Sequence, residues 1–258
     1  MVKEKYLPLE EPVQPEQPVK TAKEIRKEKW DNFWFYYKKP FWIVIAVAIV
    51  LLYMIDPFHP KVKADYTIGI ISSKYWSDDL QSALGDALEP YGEDLNEDGQ
   101  VVVETILYLL PEDAASIGAE EFEAYLVKLM GDLEACTSAI YLCDDYNAEI
   151  YGVENGLFAR LSDYSAINED DEAEIEEFGV NWRTVNAIGQ NARFRNSKTN
   201  MVFCLRAMIG TMEKNPDVYE QGKALFERMK ANSPKNSTLL EQVLAEAEKQ
   251  VASSSSGR

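Results

Sequence analysis

The sequence predicts an α/β protein: an N-terminal transmembrane helix followed by a mainly parallel sheet with flanking helices. Three observations carry that prediction. Sixteen uncharged residues from Pro40 to Ile55 form one dense apolar run, with Lys38-Lys39 before it and Asp56 after it. Beyond it, strand-like runs alternate with helix-spaced amphipathic segments, the order that builds right-handed crossovers. The strand runs are apolar almost throughout, as expected when helices cover both faces of a sheet.

Residues 1–39 read as a cytoplasmic arm. Pro8, Pro12, Pro15 and Pro18 stand among Glu and Gln, so the arm is expected to be disordered to about residue 20, and Thr21 to Lys39 then reads as helical. At about 1.5 Å per residue the apolar run spans roughly 24 Å against a hydrocarbon core of about 30 Å. Lys38 and Lys39 can snorkel, and Trp34, Phe35, Tyr36, Tyr37, Phe41 and Trp42 suit the headgroup region. The arm carries nine Lys/Arg, whereas Lys61 and Lys63 alone follow closely after the run. The positive-inside rule then makes residues 40–58 a single-pass signal-anchor with the lipid bilayer as partner, the N-terminus cytoplasmic and the rest extracytoplasmic at the cell membrane. A signal peptide cut near Val62-Lys63-Ala64 is the competing reading, opposed by the long leading region and by Asp56, two prolines and two lysines after the run. No cysteine stands directly after the run, which excludes a lipoprotein anchor.

Charge divides unevenly. Residues 1–40 carry nine basic and seven acidic side chains, leaving 17 basic and 37 acidic beyond them. So acidic a surface disfavours nucleic acid and anionic headgroups as partners. Cys136, Cys143 and Cys204 are too few for a disulfide framework, although one bridge is open to them. Residues 64–252 are long enough for one extracytoplasmic α/β domain.

The elements follow in order. Asp65 to Ile71 is a β-rich first strand ending at Ser72-Ser73. Ser77 caps a helix with Asp78 and Asp79 in its first turn, and Leu80, Leu84, Ala87, Leu88 and Tyr91 mark its buried face. Val101 to Leu110 is a second strand, stopped by Pro111. Phe122, Leu126, Leu129, Met130 and Leu133 stripe a second helix, and Ser138 to Cys143 forms a third strand closed by Asp144-Asp145. Asn168 to Glu177 reads as a short solvated helix or loop, and Thr184 to Ile188 and Asn200 to Ile209 as two further strands. Asn215-Pro216 opens a helix to about Lys230, Ser237 caps another to about Val251, and 253–258 is read as a disordered tail.

The segment from Ser138 to Tyr164 resembles extracellular solute-binding proteins of the type II periplasmic-binding superfamily. The resemblance rests on a strand ending in an acidic residue, a short helix, and the run Gly156, Leu157, Phe158, Leu161, Asp163 and Tyr164. With the preceding β-α-β-α-β order it covers about 100 residues. It implies one lobe or a shortened form of that fold, because about 190 residues are too few for two full lobes. The layout also looks like that of single-pass membrane proteins of Gram-positive anaerobes, a likeness that supplies no activity.

Ligands in open α/β sheets bind beyond the carboxyl ends of the strands. Those ends are Ser72, Ser73, Lys74, Tyr75 and Trp76, then Leu110 and Pro111, then Asp144, Asp145 and Tyr146, a mix suited to a sugar, a peptide or a cationic solute. Arg206, inside an apolar run, is expected to pair with Asp144 or Asp145, because an unpaired buried charge is costly. Arg183, Arg193, Arg195, Lys198 and Arg206 form a basic island for an anion, a partner or the protein's own acidic surface. Asp94, Asn96, Asp98 and Gln100 match the first half of a calcium loop, with Gly99 at the turn, but position twelve is Thr105 where a bidentate carboxylate is wanted. A structural calcium is the one cofactor these residues suggest, and an ordinary Asp/Asn/Gly turn is the alternative. His59, the only histidine, lies just outside the apolar run, and no nucleophile elbow, metal-binding cluster or phosphate loop is visible. The expected function is non-catalytic recognition of a solute or envelope protein, the alternative a structural or assembly role in an envelope complex.

Overall fold

The computed structural model describes residues 21–54, 63–167, 173–195 and 197–256. The expectations for 1–20, for 55–58 and His59, for 168–172 and for 257–258 lie outside the described residues. The chain divides into two compact units, 1–61 and 62–258.

In the first unit, helix α1 runs from Ala22 to Met54. Half of a capping box starts it: the Thr21 amide and hydroxyl both donate to Glu24 Oε2, at 2.8 and 2.5 Å, while the Glu24 amide donates to the Thr21 carbonyl. Its aromatic residues Trp30, Phe33, Phe35, Tyr36, Tyr37, Phe41 and Trp42 are exposed. Among the described residues no helix is long and apolar enough to cross a membrane. The transmembrane reading of 40–58 therefore rests on sequence alone.

The second unit is built on a five-stranded mixed sheet, in the order 103–109, 66–72, 140–144, 201–205, 179–181. Strand β1 (Tyr66–Ser72) leads to α2 (Asp78–Leu88), β2 (Val103–Leu109), α3 (Ala119–Glu134) and β3 (Ile140–Asp144). These three strands are parallel, with Tyr66 opposite Val103 and Ile68 opposite Ile140. Helix α4 (Asp145–Ala148) continues into a π-helical turn, Glu149–Glu154. The short α5 (Ile175–Phe178), β4 (Gly179–Asn181) and α6 (Asn186–Gly189) precede β5 (Met201–Leu205), α7 (Pro216–Lys230) and α8 (Ser237–Ser256). Strand β5 lies antiparallel between β3 and β4. The sheet is thus mixed rather than mainly parallel. Among the described residues no long crossover helix joins β3 to β5, so none imposes the parallel direction there.

Other expectations change too. Thr184 to Ile188 is not a strand: Trp182, Val185 and Ile188 are all buried at helical spacing, in a 3-10 turn and α6. The strand expected to reach Ile209 ends at Leu205. Asn236, not Ser237, caps α8, its Oδ1 accepting from the Leu239 amide at 3.0 Å. The tail read as disordered from 253 is helical to Ser256.

Strand alternation sends side chains to two cores. Ile68, Ile70, Ile140, Leu142, Phe203 and Leu205 share one with α2, α6 and α7. Ile71, Tyr108, Tyr141, Cys143, Val202 and Cys204 share the other with Leu129 of α3, Phe158 and Phe178. Gly69 leaves room for the second: a Cβ there would lie 2.5 Å from the Tyr141 ring and 3.2 Å from that of Tyr108.

The run that carries the resemblance edges β5. Phe158 bridges Arg206 in antiparallel fashion, the Ala159 amide donates to the Leu205 carbonyl at 2.8 Å, and Phe158 is fully buried. Gly156 sits at φ 58° with the Ile167 carbonyl 2.6 Å from where a Cβ would be, a position that a side chain would crowd.

Candidate functional site

The carboxyl ends of β1 and β3 do meet, and the protein fills the space between them. Asp144 caps α4, its Oδ1 accepting from the Asn147 amide at 3.0 Å and from Asn147 Nδ2 at 2.8 Å. Its Oδ2 accepts from the Ser73 amide at 2.5 Å. Asn147 Nδ2 also donates to Ser73 Oγ and to the Leu110 carbonyl, each at 3.2 Å. Ser72 Oγ accepts from the Lys74 amide at 3.1 Å. Ser72, Asp144 and Asn147 are buried, so this network closes the strand exit with its own polar groups. Asn147 escaped the sequence reading, although Asp-Asp-Tyr-Asn carries a capping spacing that would have found it.

The remaining predicted residues disperse. Trp76 turns into the core, its ring centroid 5.8 Å from that of Trp182, while Tyr75 is 66% exposed beside the exposed Lys74. Tyr146 is half-buried behind Asp145. Arg206 pairs with neither Asp144 nor Asp145. The antiparallel register sets Leu205 opposite Ile140 and Met201 opposite Asp144, which puts Arg206 beyond the amino end of β3. There, at 5% exposure, its Nη1 donates to the Leu133 carbonyl at 2.8 Å and its Nη2 to Thr211 Oγ1 at 3.0 Å. Leu133 lies in the last turn of α3, where the helix dipole favours a cation. The basic island is spent largely on the protein's own surface: Arg193 pairs with Asp79, Arg195 with Glu248, and Arg183 donates to the Ser197 and Thr199 carbonyls.

The proposed calcium loop is occupied by itself. Asp94 accepts from the Asp98 and Gly99 amides at 3.2 and 2.7 Å, Asn96 Oδ1 from the Asp98 amide at 2.9 Å, and Asp98 Oδ1 from the Gln100 amide at 2.9 Å. Thr105, in the twelfth position, is carried off along β2 and donates its hydroxyl to the Gln81 carbonyl at 3.1 Å. These residues do not complete a calcium sphere, and among the described residues no group of three His, Cys, Asp or Glu is placed to hold a metal. The three cysteines are free and buried. Burial pushes the Cys143 thiol up, and its hydrogen bond with Cys204 adds to that.

An open groove of about 770 Å³ lies on the other side of Asp145. Asp145 and Glu149 line it from the start of α4 and of the π-helical turn, Glu174 and Glu176 from α5, and Asn181 and Asn200 from β4 and the entry to β5. Val153, Ile175 and Val202 supply apolar surface. The amides are used internally: Asn181 Nδ2 donates to Asn200 Oδ1 at 2.9 Å, and Asn200 Nδ2 to Asp145 Oδ1 at 2.7 Å. Among the described residues Glu149, Glu174 and Glu176 have no cationic partner. Four carboxylates around an apolar floor can take a cation that also carries hydrocarbon. Of the predicted residues only Asp145 belongs to this groove. The others come from short elements with no periodic signature. No known protein family, no curated protein and no solved structure proved similar to this chain.

Proposed function

We propose that this is a membrane-anchored, extracytoplasmic, non-catalytic recognition domain, shaped like one lobe of a type II periplasmic-binding protein. Its ligand is a cationic solute or the Lys/Arg-bearing segment of an envelope partner, taken in the groove beside β4. The observation that carries this reading is the set of four groove carboxylates over apolar surface, none with a cationic partner among the described residues. The anchor is supported by the apolar run from Pro40 to Ile55 and its aromatic and lysine flanks. One observation favours the alternative of an assembly component with no small ligand: the Ser73–Asp144–Asn147 network occupies the strand exit where such sheets usually bind.

The test is fluorescence anisotropy of a labelled oligolysine peptide titrated with the full chain in detergent, against the triple variant Glu149→Gln, Glu174→Gln, Glu176→Gln. Binding that weakens at least about tenfold in the variant and falls with salt supports the groove. Binding unchanged by the triple variant removes it as the site. Protease shaving of intact cells checks the orientation, since loss of the C-terminal epitope is expected only if that domain faces outward.

A further inference from the structure

A second cavity, of about 220 Å³, lies between α2, the turn at 191–193 and α8. At about 30 Å³ per water it has room for roughly seven waters or one small organic molecule. Its chemistry is two-ended. Asp86, Glu89 and Glu246 line it with carboxylates, and Arg193, the one cation on its wall among the described residues, is already paired with Asp79. Burial pushes both Asp86 and Glu89 upward, with neighbouring carboxylates adding to it: Glu246 acts on Asp86, and Asp86 and Asp65 act on Glu89. Asp65 itself is taken by the Leu95, Asn96 and Val102 amides. Arg193 draws Asp86 the other way.

Asn191 lines the cavity from the turn at 191–193. It is 1% exposed, and its Oδ1 accepts from the Arg193 amide at 2.9 Å. A backbone amide can only donate, so this bond fixes which end of the carboxamide faces the turn. Nδ2 is left with no protein partner among the described residues, on a side chain that lines the cavity. Nδ2 is not sealed from solvent, so a ligand oxygen there would take the place of a water. Arg193 uses Nη2 on Asp79, leaving further donors beside Asn191. Ala83, Val243 and Ala247 add apolar wall.

We propose that this cavity binds a small primary amine that also carries an oxygen acceptor, an amino alcohol in chemical class. Its ammonium sits among Asp86, Glu89 and Glu246 and its oxygen accepts from Asn191 Nδ2. The site is separate from the groove beside β4 and does not depend on it. Because α8 forms one wall, occupancy also ties that helix to α2.

The test is calorimetric titration of the full chain with 4-amino-1-butanol at mildly alkaline pH, with butylamine, 1-butanol and magnesium as comparison probes. Saturable binding of the amino alcohol is expected, weakened about tenfold or more for butylamine and absent for 1-butanol. The exposed Glu246→Gln should weaken it at least about tenfold without lowering the melting temperature. Glu174→Gln in the groove should leave it unchanged. Failure of the amino alcohol to bind, equal binding of 1-butanol or magnesium, indifference to Glu246→Gln, or loss in Glu174→Gln would each overturn the proposal.

Discussion

Glu89 links local geometry to a measurable pH dependence. It opens the 3-10 turn after α2, faces the cavity under α8, and is half-buried. Burial is the largest cause of its shift, followed by repulsion from Asp86 and then from Asp65; together they raise it from 4.5 to about 7. The folded value lies above the unfolded one, so its contribution to stability is fully present below pH 4.5 and is lost as pH rises through about 7. The full difference corresponds to about 3.4 kcal/mol at 1.36 kcal/mol per pH unit. Solvent reaches the carboxyl, and screening reduces this to about 1–2 kcal/mol. Glu89→Gln removes the ionisation and keeps the size. Urea unfolding of the intact chain, followed by tryptophan fluorescence, should give equal stabilities for both proteins near pH 4. Near pH 9 the variant should be more stable by about 1–2 kcal/mol. An advantage of the same size at both pH values, or none at high pH, would refute the reasoning, because Glu89 would then ionise as it does in water.

Two further substitutions probe the strand exit and the sheet. Asp144→Ala strips the acceptor from the Ser73 amide and from both Asn147 donors, and should cost about 3–5 kcal/mol in urea unfolding. Asp144→Asn, which keeps an oxygen for the cap, should cost about 1–2 kcal/mol; a loss below about 1 kcal/mol for the alanine variant would mean that the network is not structural. Gly69→Ala drives a methyl into the Tyr141 ring and should cost about 1–3 kcal/mol. Tyr141→Leu in the same chain should recover part of that loss, and strict additivity of the two effects would argue against the contact.

The sequence was legible where side chains repeat. The strand at Tyr66–Ser72, the helix capped by Ser77 and the stripe of α3 each declare themselves within a single element, although Met130 of that stripe is 59% exposed. Legibility fails where a distant partner decides. Thr184 to Ile188 alternates like a strand, yet Asn232 donates to the Thr184 carbonyl at 2.8 Å and accepts from the Asn186 amide at 2.6 Å, pinning a helical turn from 46 residues away. Strand β4 is three residues long and offers no periodicity to read. The direction of β5 leaves no local mark, and misjudging it misplaced Arg206 by the length of a strand. For the same reason the groove was largely invisible: its walls come from α4, the π-helical turn, α5, β4 and β5, and only Asp145 stood at a strand end that could be foreseen.

The place of β5 in the sheet bears on how the chain must be made. β3 ends at Asp144 and β5 begins at Met201, with 56 residues between them. β4 is made before β5 yet reaches the sheet only through it. At about 5–20 residues per second, the free side of β3 waits roughly 3–11 s after its own synthesis before its neighbour exists. During that interval the strand Ile140–Asp144, every residue of which ends up buried, offers an apolar template to any other unpaired strand. Slowing synthesis between residues 145 and 200 should therefore lengthen the interval in which the nascent chain needs a chaperone.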